Sequence, residues 1–331
     1  MTQVDKEITN LLALEGYQTS KYIALKIRMS ERTVSRHLDE LIKQRTIKMV
    51  AVQNPVLCGF KAWSKIGIRI EPGYLEKVAQ ILVKYPEVYF VAYSLGRFDI
   101  IIGTHFETIN RLTHFMSNEL TSIEGINSSE TLILASPRKY YSFRWPNPET
   151  SSKNTMPAEN KNYMLDNLSR EIIEIMKSDA TIPISTISSK LGVNERIIQK
   201  RIKRMLADNI FTIQVVLNPK ILENQVWATI GIMVNKRDAQ TVIDSILNCT
   251  EIYLASVSLG RFNVVTAGHF FNMDLLNEFV THKLTSIDGI GSIETFIHNK
   301  PLKYHNTPLF NFESATGTEK LPISKKRIRK K

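Results

Sequence analysis

The chain repeats itself at one fixed distance, and nothing else in it constrains the fold so tightly. Ser94-Leu95-Gly96-Arg97-Phe98 returns as Ser258-Leu259-Gly260-Arg261-Phe262, 164 residues later. LTSIEGI at 120–126 returns as LTSIDGI at 284–290 with the same offset. Glu31-Arg32 matches Glu195-Arg196, Asn54-Pro55 matches Asn218-Pro219, His105-Phe106 matches His269-Phe270, and Glu130-Thr131 matches Glu294-Thr295. One offset held over more than 100 residues means a tandem duplication of a large unit with almost no insertions, and excludes a short-period solenoid.

Residues 146–162 (PNPETSSKNTMPAENKN), between the copies, are nearly free of large apolar side chains and have the composition of a flexible linker. With 331 residues, 43% of them hydrophobic, there is material for several buried cores. The formal charge of +11 is lopsided: six of the seven residues 325–331 are basic, and without them it falls to +5. A case for nucleic acid therefore rests on local patches. The tail reads equally as a phosphate-gripping arm or as a disordered solubilising end. Two cysteines, Cys58 and Cys249, exclude a disulfide scaffold and a cysteine-built zinc module and fit a reducing compartment. The opening MTQVDKEITN lacks the plan of a signal peptide, and no apolar run reaches the about 18 residues of a membrane span. The expectation is a soluble cytoplasmic protein with no membrane partner.

Each copy has two parts. The first is helical. In copy two, Leu165, Leu168, Ile172, Ile173 and Met176 follow helical spacing with Asp166 as N-cap. A short helix from Ile184 to Leu191 stops at Gly192, and Asn194 caps a third helix whose apolar face is Ile198, Ile202, Met205 and Leu206. In copy one Ser30 is the cap, with Val34, Leu38, Leu41 and Ile42 inside. The apolar stretch Ile47–Val52 follows; three helices and a short hairpin outline a winged helix-turn-helix. The second part alternates: strands at 63–70, 88–95, 98–106 and 130–136, and helices at 75–83 and 109–120. The order β-α-β-β-α-β is the ferredoxin-like split pattern, so the fold class is α+β. That order alone assigns no function.

A helix that enters the major groove exposes polar and basic side chains near its N-terminus while its other face packs. Arg32, Thr33, Ser35 and Arg36 meet that need in copy one. Arg196, Gln199 and Lys200 meet it in copy two, with Lys203 one turn on. Ile197 stands for Thr33 and Gln199 for Ser35, so the two helices are expected to read different bases. An ordinary amphipathic surface helix satisfies the same pattern. The preceding short helix, the tight turns at Ile27–Met29 and Leu191–Val193 and the duplication favour binding to double-stranded DNA.

These segments resemble the Lrp/AsnC (feast/famine) family of transcription regulators, over nearly the whole chain and twice. LDNLSREIIEIM, SERTVSRHLDELIKQRTI, NERIIQKRIKRMLADNIF and NPVLCGF fit its helix-turn-helix part, while LGRFD and LTSIEGINSSETLIL fit its effector-binding and oligomer-forming RAM domain. The resemblance implies winged helix-turn-helix domains at 1–52 and 163–216 and ferredoxin-like RAM-type domains at 53–145 and 217–312, with the linker at 146–162 and a basic disordered tail at 313–331. It further implies a small-molecule effector, an amino acid or related metabolite, and a homo-oligomer built through the RAM-type domains. Carried over, the effector cleft includes Gly96, Arg97, Asp99, Ser122 and Glu124, and in copy two Gly260, Arg261, Asn263, Ser286 and Asp288. Asp99 would take an ammonium, and turn N–H groups or an arginine would take a carboxylate. Asn263 in place of aspartate weakens the second site. A family member has one unit per chain, so two units in one chain permit pairing within it.

Two other classes share the outline: siroheme decarboxylases, which handle a tetrapyrrole, and metabolite sensors that have lost DNA binding. The repeated His105 and His269 are the candidates for the first, whereas His114 and His282 break the repeat. With no paired-histidine motif, Cys–His cluster, phosphate loop, nucleophile elbow or clustered acid pair, the chain reads as a non-enzyme that needs no cofactor and no metal.

Overall fold

The computed structural model describes residues 2–15, 18–140, 143–144, 165–218, 225–235, 238–304 and 307–309. The linker assigned to 146–162 and the tail assigned to 313–331 lie outside the described residues.

The first copy opens with helices α1 (Gln3–Glu15), α2 (Ser20–Ile27) and α3 (Glu31–Lys43). Thr19 and Ser30 cap α2 and α3, their hydroxyls accepting the N–H of Tyr22 and Thr33. Strand β1 (Ile47–Gln53) leads into β2 (Ala62–Ile70), α4 (Leu75–Lys84), β3 (Val88–Leu95) and β4 (Ile100–Phe106). Then come α5 (Ile109–His114), which continues as a π-helical turn over Phe115–Leu120, β5 (Ile126–Tyr140) and the two-residue β6 (Phe143–Arg144). The second copy repeats the series: α6 (Asn167–Ser178), α7 (Ile184–Leu191), α8 (Glu195–Ala207), β7 (Phe211–Leu217) and β8 (Val226–Val234). It ends with α9 (Ala239–Ile246), β9 (Ile252–Leu259), β10 (Val264–Phe270), α10 (Met273–Glu278) with its π-helical turn over Phe279–Leu284, β11 (Ile290–Tyr304) and β12 (Thr307–Pro308).

The wing expected as a hairpin is a single strand in each copy. β1 pairs antiparallel with β7 along its full length, from Ile47 opposite Leu217 to Gln53 opposite Phe211. Among the described residues neither strand has a hairpin partner within its own copy, so each meets its backbone hydrogen-bond needs on its repeat. Side chains of this ribbon are shared out. Ile47 packs among the helices of copy one, and Ala51 packs with Ile172, Ile173, Ile187 and Ile198 of copy two. Val215 and Leu217 return the exchange by packing with Ile8, Leu12, Ile23 and Val34.

The eight longer strands close into a ring, β3-β4-β2-β5-β9-β10-β8-β11 and back to β3. β5 is longer than the expected 130–136 because it serves two sheets. Its start pairs with β2, and from Ile133 to Tyr140 it pairs with β9 of the other copy. β11 does the same with β8 and β3. Closure leaves neither sheet an open edge. The two ferredoxin-like halves thus pair within one chain.

Rings and aliphatic chains from both copies fill the space between the sheets, among them Phe90, Phe98 and Ile101 with Leu254, Phe262 and Val265. Outside, Val78, Leu82 and Phe115 cover one sheet, and Val242, Ile246 and Phe279 the other. Both faces of β4 are therefore covered, which is why all seven of its residues, Thr104 and His105 included, are buried. Gly67 and Gly231 sit where Phe98 and Phe262 press on the strand; a Cβ there would fall within 2.3 and 2.4 Å of the rings. Two lysines clasp the seam. Lys139 donates to the carbonyl of Cys249 (2.8 Å), and its repeat Lys303 to that of Tyr85 (2.8 Å), each at a helix C-terminal end where a cation is favoured.

Candidate functional site

On α3, Arg32, Ser35 and Arg36 are exposed. Thr33 is half-buried: its hydroxyl lies 2.7 Å from the Ser30 hydroxyl, and its N–H donates to the same oxygen, so it belongs to the helix cap. On α8, Arg196, Gln199, Lys200 and Lys203 are exposed, together with Ile197 at 48%. The helices are anchored differently from beneath. His37 Nδ1 on α3 lies 2.8 Å from an Asp5 carboxylate oxygen on α1. At the repeat position Arg201 bonds Asp166 and Ser169. Asp5 is held below the usual carboxylate range: burial opposes this, but hydrogen bonds from Thr2 and His37 outweigh it. Arg204, which the sequence reading passed over, is exposed on α8 and lies 3.4 Å from Asp208.

The turns at Gly96 (φ 106°) and Gly260 (φ 130°) take a backbone conformation that favours glycine. Arg97 pairs with Glu130 at 2.7 Å and Arg261 with Glu294 at 2.8 Å, so neither arginine stands free. Asp99 Oδ2 accepts the N–H of Ile70 at 2.7 Å; Asn263 Oδ1 accepts the N–H of Val234 at 2.8 Å. Asparagine thus repeats the backbone bond that aspartate makes and lacks only its charge. Phe98 lies 5.5 Å from Phe296 of the other copy, and Gly260 rests on Thr131 and Leu132 of β5, so both turns sit against the seam. Ser122 and Ser286 donate back to the carbonyls of Glu119 and Lys283 and finish their helices. Glu124 accepts from Tyr74, the residue before α4, and from Lys77 on α4, and carries a lowered pKa from those partners, Lys77 first. Gly96, Arg97 and Asp99 therefore form one turn, whereas Ser122 and Glu124 are engaged with their own helix and with α4.

Two features escaped the sequence reading. Lys65 is fully buried in the ring, its ammonium nitrogen 4.2 Å from the centroid of Phe90 and without a hydrogen-bond partner. Burial alone brings its pKa down to about 7. His105 and His298 are pushed well below the usual histidine range by burial first and then by Lys65. The signal was a lysine in an apolar strand whose repeat residue is Thr229. The second is a hub. Arg111 donates to Glu119 (2.6 Å) and Glu87 (2.9 Å), and His114 lies 3.1 Å from Glu119. The repeat breaks there, since Arg111 and Glu119 correspond to Leu275 and Lys283. An open pocket of about 570 Å³ lies at that place in copy two.

His105 is enclosed by the rings of Phe60, Trp63, Tyr89 and Tyr140, with centroids 4.1–5.7 Å away. His269 instead borders the open pocket, and burial lowers its pKa to about 4. Among the described residues no group of three histidine, cysteine or acidic side chains is placed to hold a metal, and no helix is long and apolar enough to cross a membrane.

The Lrp/AsnC ligand binding domain matches residues 65–142 and again 228–308, and the AsnC-type helix-turn-helix domain matches 165–206. An HTH-type transcriptional regulator of Pyrococcus horikoshii, itself uncharacterized, is 30% identical over 141 residues, covering 42% of this chain and 89% of the relative. The regulatory protein AsnC of Escherichia coli K12 is 27% identical over 139 residues, covering 41% and 91%. The siroheme decarboxylase NirDL, solved with an iron-uroporphyrin III analogue, superposes with a TM-score of 0.54 over 91% of this chain and 93% of that one. At 10% identity this last likeness concerns the fold alone.

Proposed function

The chain belongs to the Lrp/AsnC family, and from that premise we propose that it is a transcription regulator whose two helix-turn-helix units read unequal half-sites of double-stranded DNA. The first unit is proposed on its likeness to the second: a side-chain N-cap on the third helix (Ser30 against Asn194), a left-handed residue ending the helix before it (Arg28 against Gly192) and an exposed basic face on that third helix. The observation that carries the reading is the β1–β7 ribbon, which ties both reading helices to each other and, through Val50, Val52 and Val216, to the interior of the ring. Residues proposed to face DNA are Arg32, Ser35 and Arg36 on α3 and Arg196, Gln199, Lys200 and Lys203 on α8. An effector, an amino acid or related metabolite, is proposed at the seam-facing turns 96–99 and 260–263. By preferring one arrangement of the ring it would shift the ribbon and so the spacing of α3 and α8. Assembly of whole chains into larger oligomers belongs to the same proposal.

The test selects bound sequences from random duplexes with the full chain at two salt concentrations. A two-part site with unlike halves, bound in preference to bulk DNA near physiological salt, is expected. Arg36→Ala and Lys200→Ala should each weaken binding through one half only. Equal affinity for every duplex, abolished by salt, would overturn the reading. A tetrapyrrole role fares worse at His105, where the enclosing rings must unpack before an iron atom reaches Nε2. Absorbance of the chain mixed with haem checks it at His269.

A further inference from the structure

The duplication supplies an internal comparison at the hub around Arg111. In copy one the guanidinium lies 5.3 Å from the centroid of Phe106 and spans two carboxylates, Glu87 and Glu119. Moved by the repeat offset, Glu87 and Phe106 persist as Glu251 and Phe270, while Arg111 becomes Leu275, His114 becomes Glu278 and Glu119 becomes Lys283. The acceptor and the aromatic floor are kept, but the guanidinium is gone. What remains is the pocket of about 570 Å³, lined by Glu251, Phe270, Leu275, Glu278, His282 and Lys283 among others. Its volume lies within the usual range for small-molecule sites, about 300–1,000 Å³.

Lys283 only partly replaces the lost cation. Its nitrogen stands 3.3 and 3.4 Å from the two Glu251 oxygens, longer than the about 2.7–2.9 Å of a good charge-assisted bond, and its side chain is 49% exposed. Glu278 makes no ion pair among the described residues. A planar guanidinium suits this place better than an ammonium, because it stacks on an aromatic ring while its edge pairs with a carboxylate.

We propose that the pocket binds a small organic cation with a guanidinium head on an aliphatic stem. The head occupies the place at Glu251 and beside Phe270 that Arg111 fills in copy one, with Glu278 as a second acceptor and the stem lying along Leu275. Lys283 swings out to solvent as the ligand enters.

Isothermal titration of the full chain with agmatine is the test, with L-arginine and n-butylamine as further arms. Agmatine is expected to bind saturably at one molecule per chain and more tightly than n-butylamine, which lacks the planar head. Arginine binding as well as agmatine means that the site tolerates a carboxylate on the stem; a second arginine site would mark the seam-facing turns. Glu251→Gln, which keeps side-chain shape, should weaken agmatine binding by about tenfold or more. Leu275→Arg should supply the guanidinium internally, abolish agmatine binding and raise the melting temperature. Absence of saturable agmatine binding, or binding undiminished in both variants, would overturn the proposal.

Discussion

The two copies share one backbone plan and use it differently. In copy one the hub is closed by Arg111, the interior carries Lys65, and the turn into α3 is made by Arg28. In copy two the hub is open, Thr229 replaces the lysine and bonds His298 at 3.0 Å, and Gly192 makes the turn. Elements that bridge the copies have kept their roles: the lysine clasps and the strands of the ribbon recur in both, as do the phenylalanine-on-glycine contacts within each copy. Side chains that meet no counterpart have drifted. Pairing across the pseudo-twofold thus preserves a framework within which each copy is free to specialise.

The strongest way to break this comparison is to ask whether the copies fold separately. Ala51 belongs to copy one in sequence but lies in the helical core of copy two. Ala51→Asp buries a carboxylate with no partner, expected to cost about 3–5 kcal/mol. Hydrogen exchange should show protection lost in α6–α8 before α1–α3. Loss confined to α1–α3 would mean that the exchanged strands carry no energy between the copies.

A second, smaller effect concerns Lys65. Tyr89, His105 and His298 surround it, and none offers an acceptor within bonding distance. Its folded pKa of about 7 lies below the ordinary 10.5, so the unfolded chain holds the extra proton between those values. Stability carried by this group therefore rises with pH from about 7 to about 10.5. Lys65→Met should stabilise the chain by about 1–4 kcal/mol at neutral pH. The gain should be largest below pH 7 and shrink towards pH 10.5, as read from denaturant titrations across that range. A gain independent of pH would show that packing rather than charge sets the cost.

The order of elements was legible because period and caps are local: Ser30, Asp166 and Asn194 cap the helices named from sequence, and Gly192 ends α7 where expected. Partners were not. Nothing in Ile47–Val52 distinguishes a strand that folds back from one that pairs with a segment 164 residues away, since both need the same apolar alternation. The site was legible as far as composition goes: basic side chains at a helix start show in sequence, while Thr33 turning to its cap and Asp99 holding a backbone N–H depend on three-dimensional neighbours. The hub at Arg111 was in reach, because comparing the copies for charge reversals would have marked Glu119 against Lys283.

The smallest effect sharpens the comparison most cleanly, because it changes no contact in either core. Arg28 ends α2 at φ 57°, ψ 46°, where its N–H donates to the carbonyl of Ala24; Gly192 ends α7 at φ 65°, ψ 28° and donates to that of Ser188. The backbone is the same, but a side chain in this left-handed region crowds the following carbonyl and costs about 1–2 kcal/mol, part of which glycine returns through its greater freedom when unfolded. Arg28→Gly should therefore stabilise copy one by about 0.5–1 kcal/mol, and Gly192→Arg should destabilise copy two by a similar amount. Melting of the two single variants and of the exchange double variant would measure it, with the double expected near the parent. If Arg28→Gly instead weakens DNA binding while raising stability, the arginine is kept at a strained position for its charge beside α3.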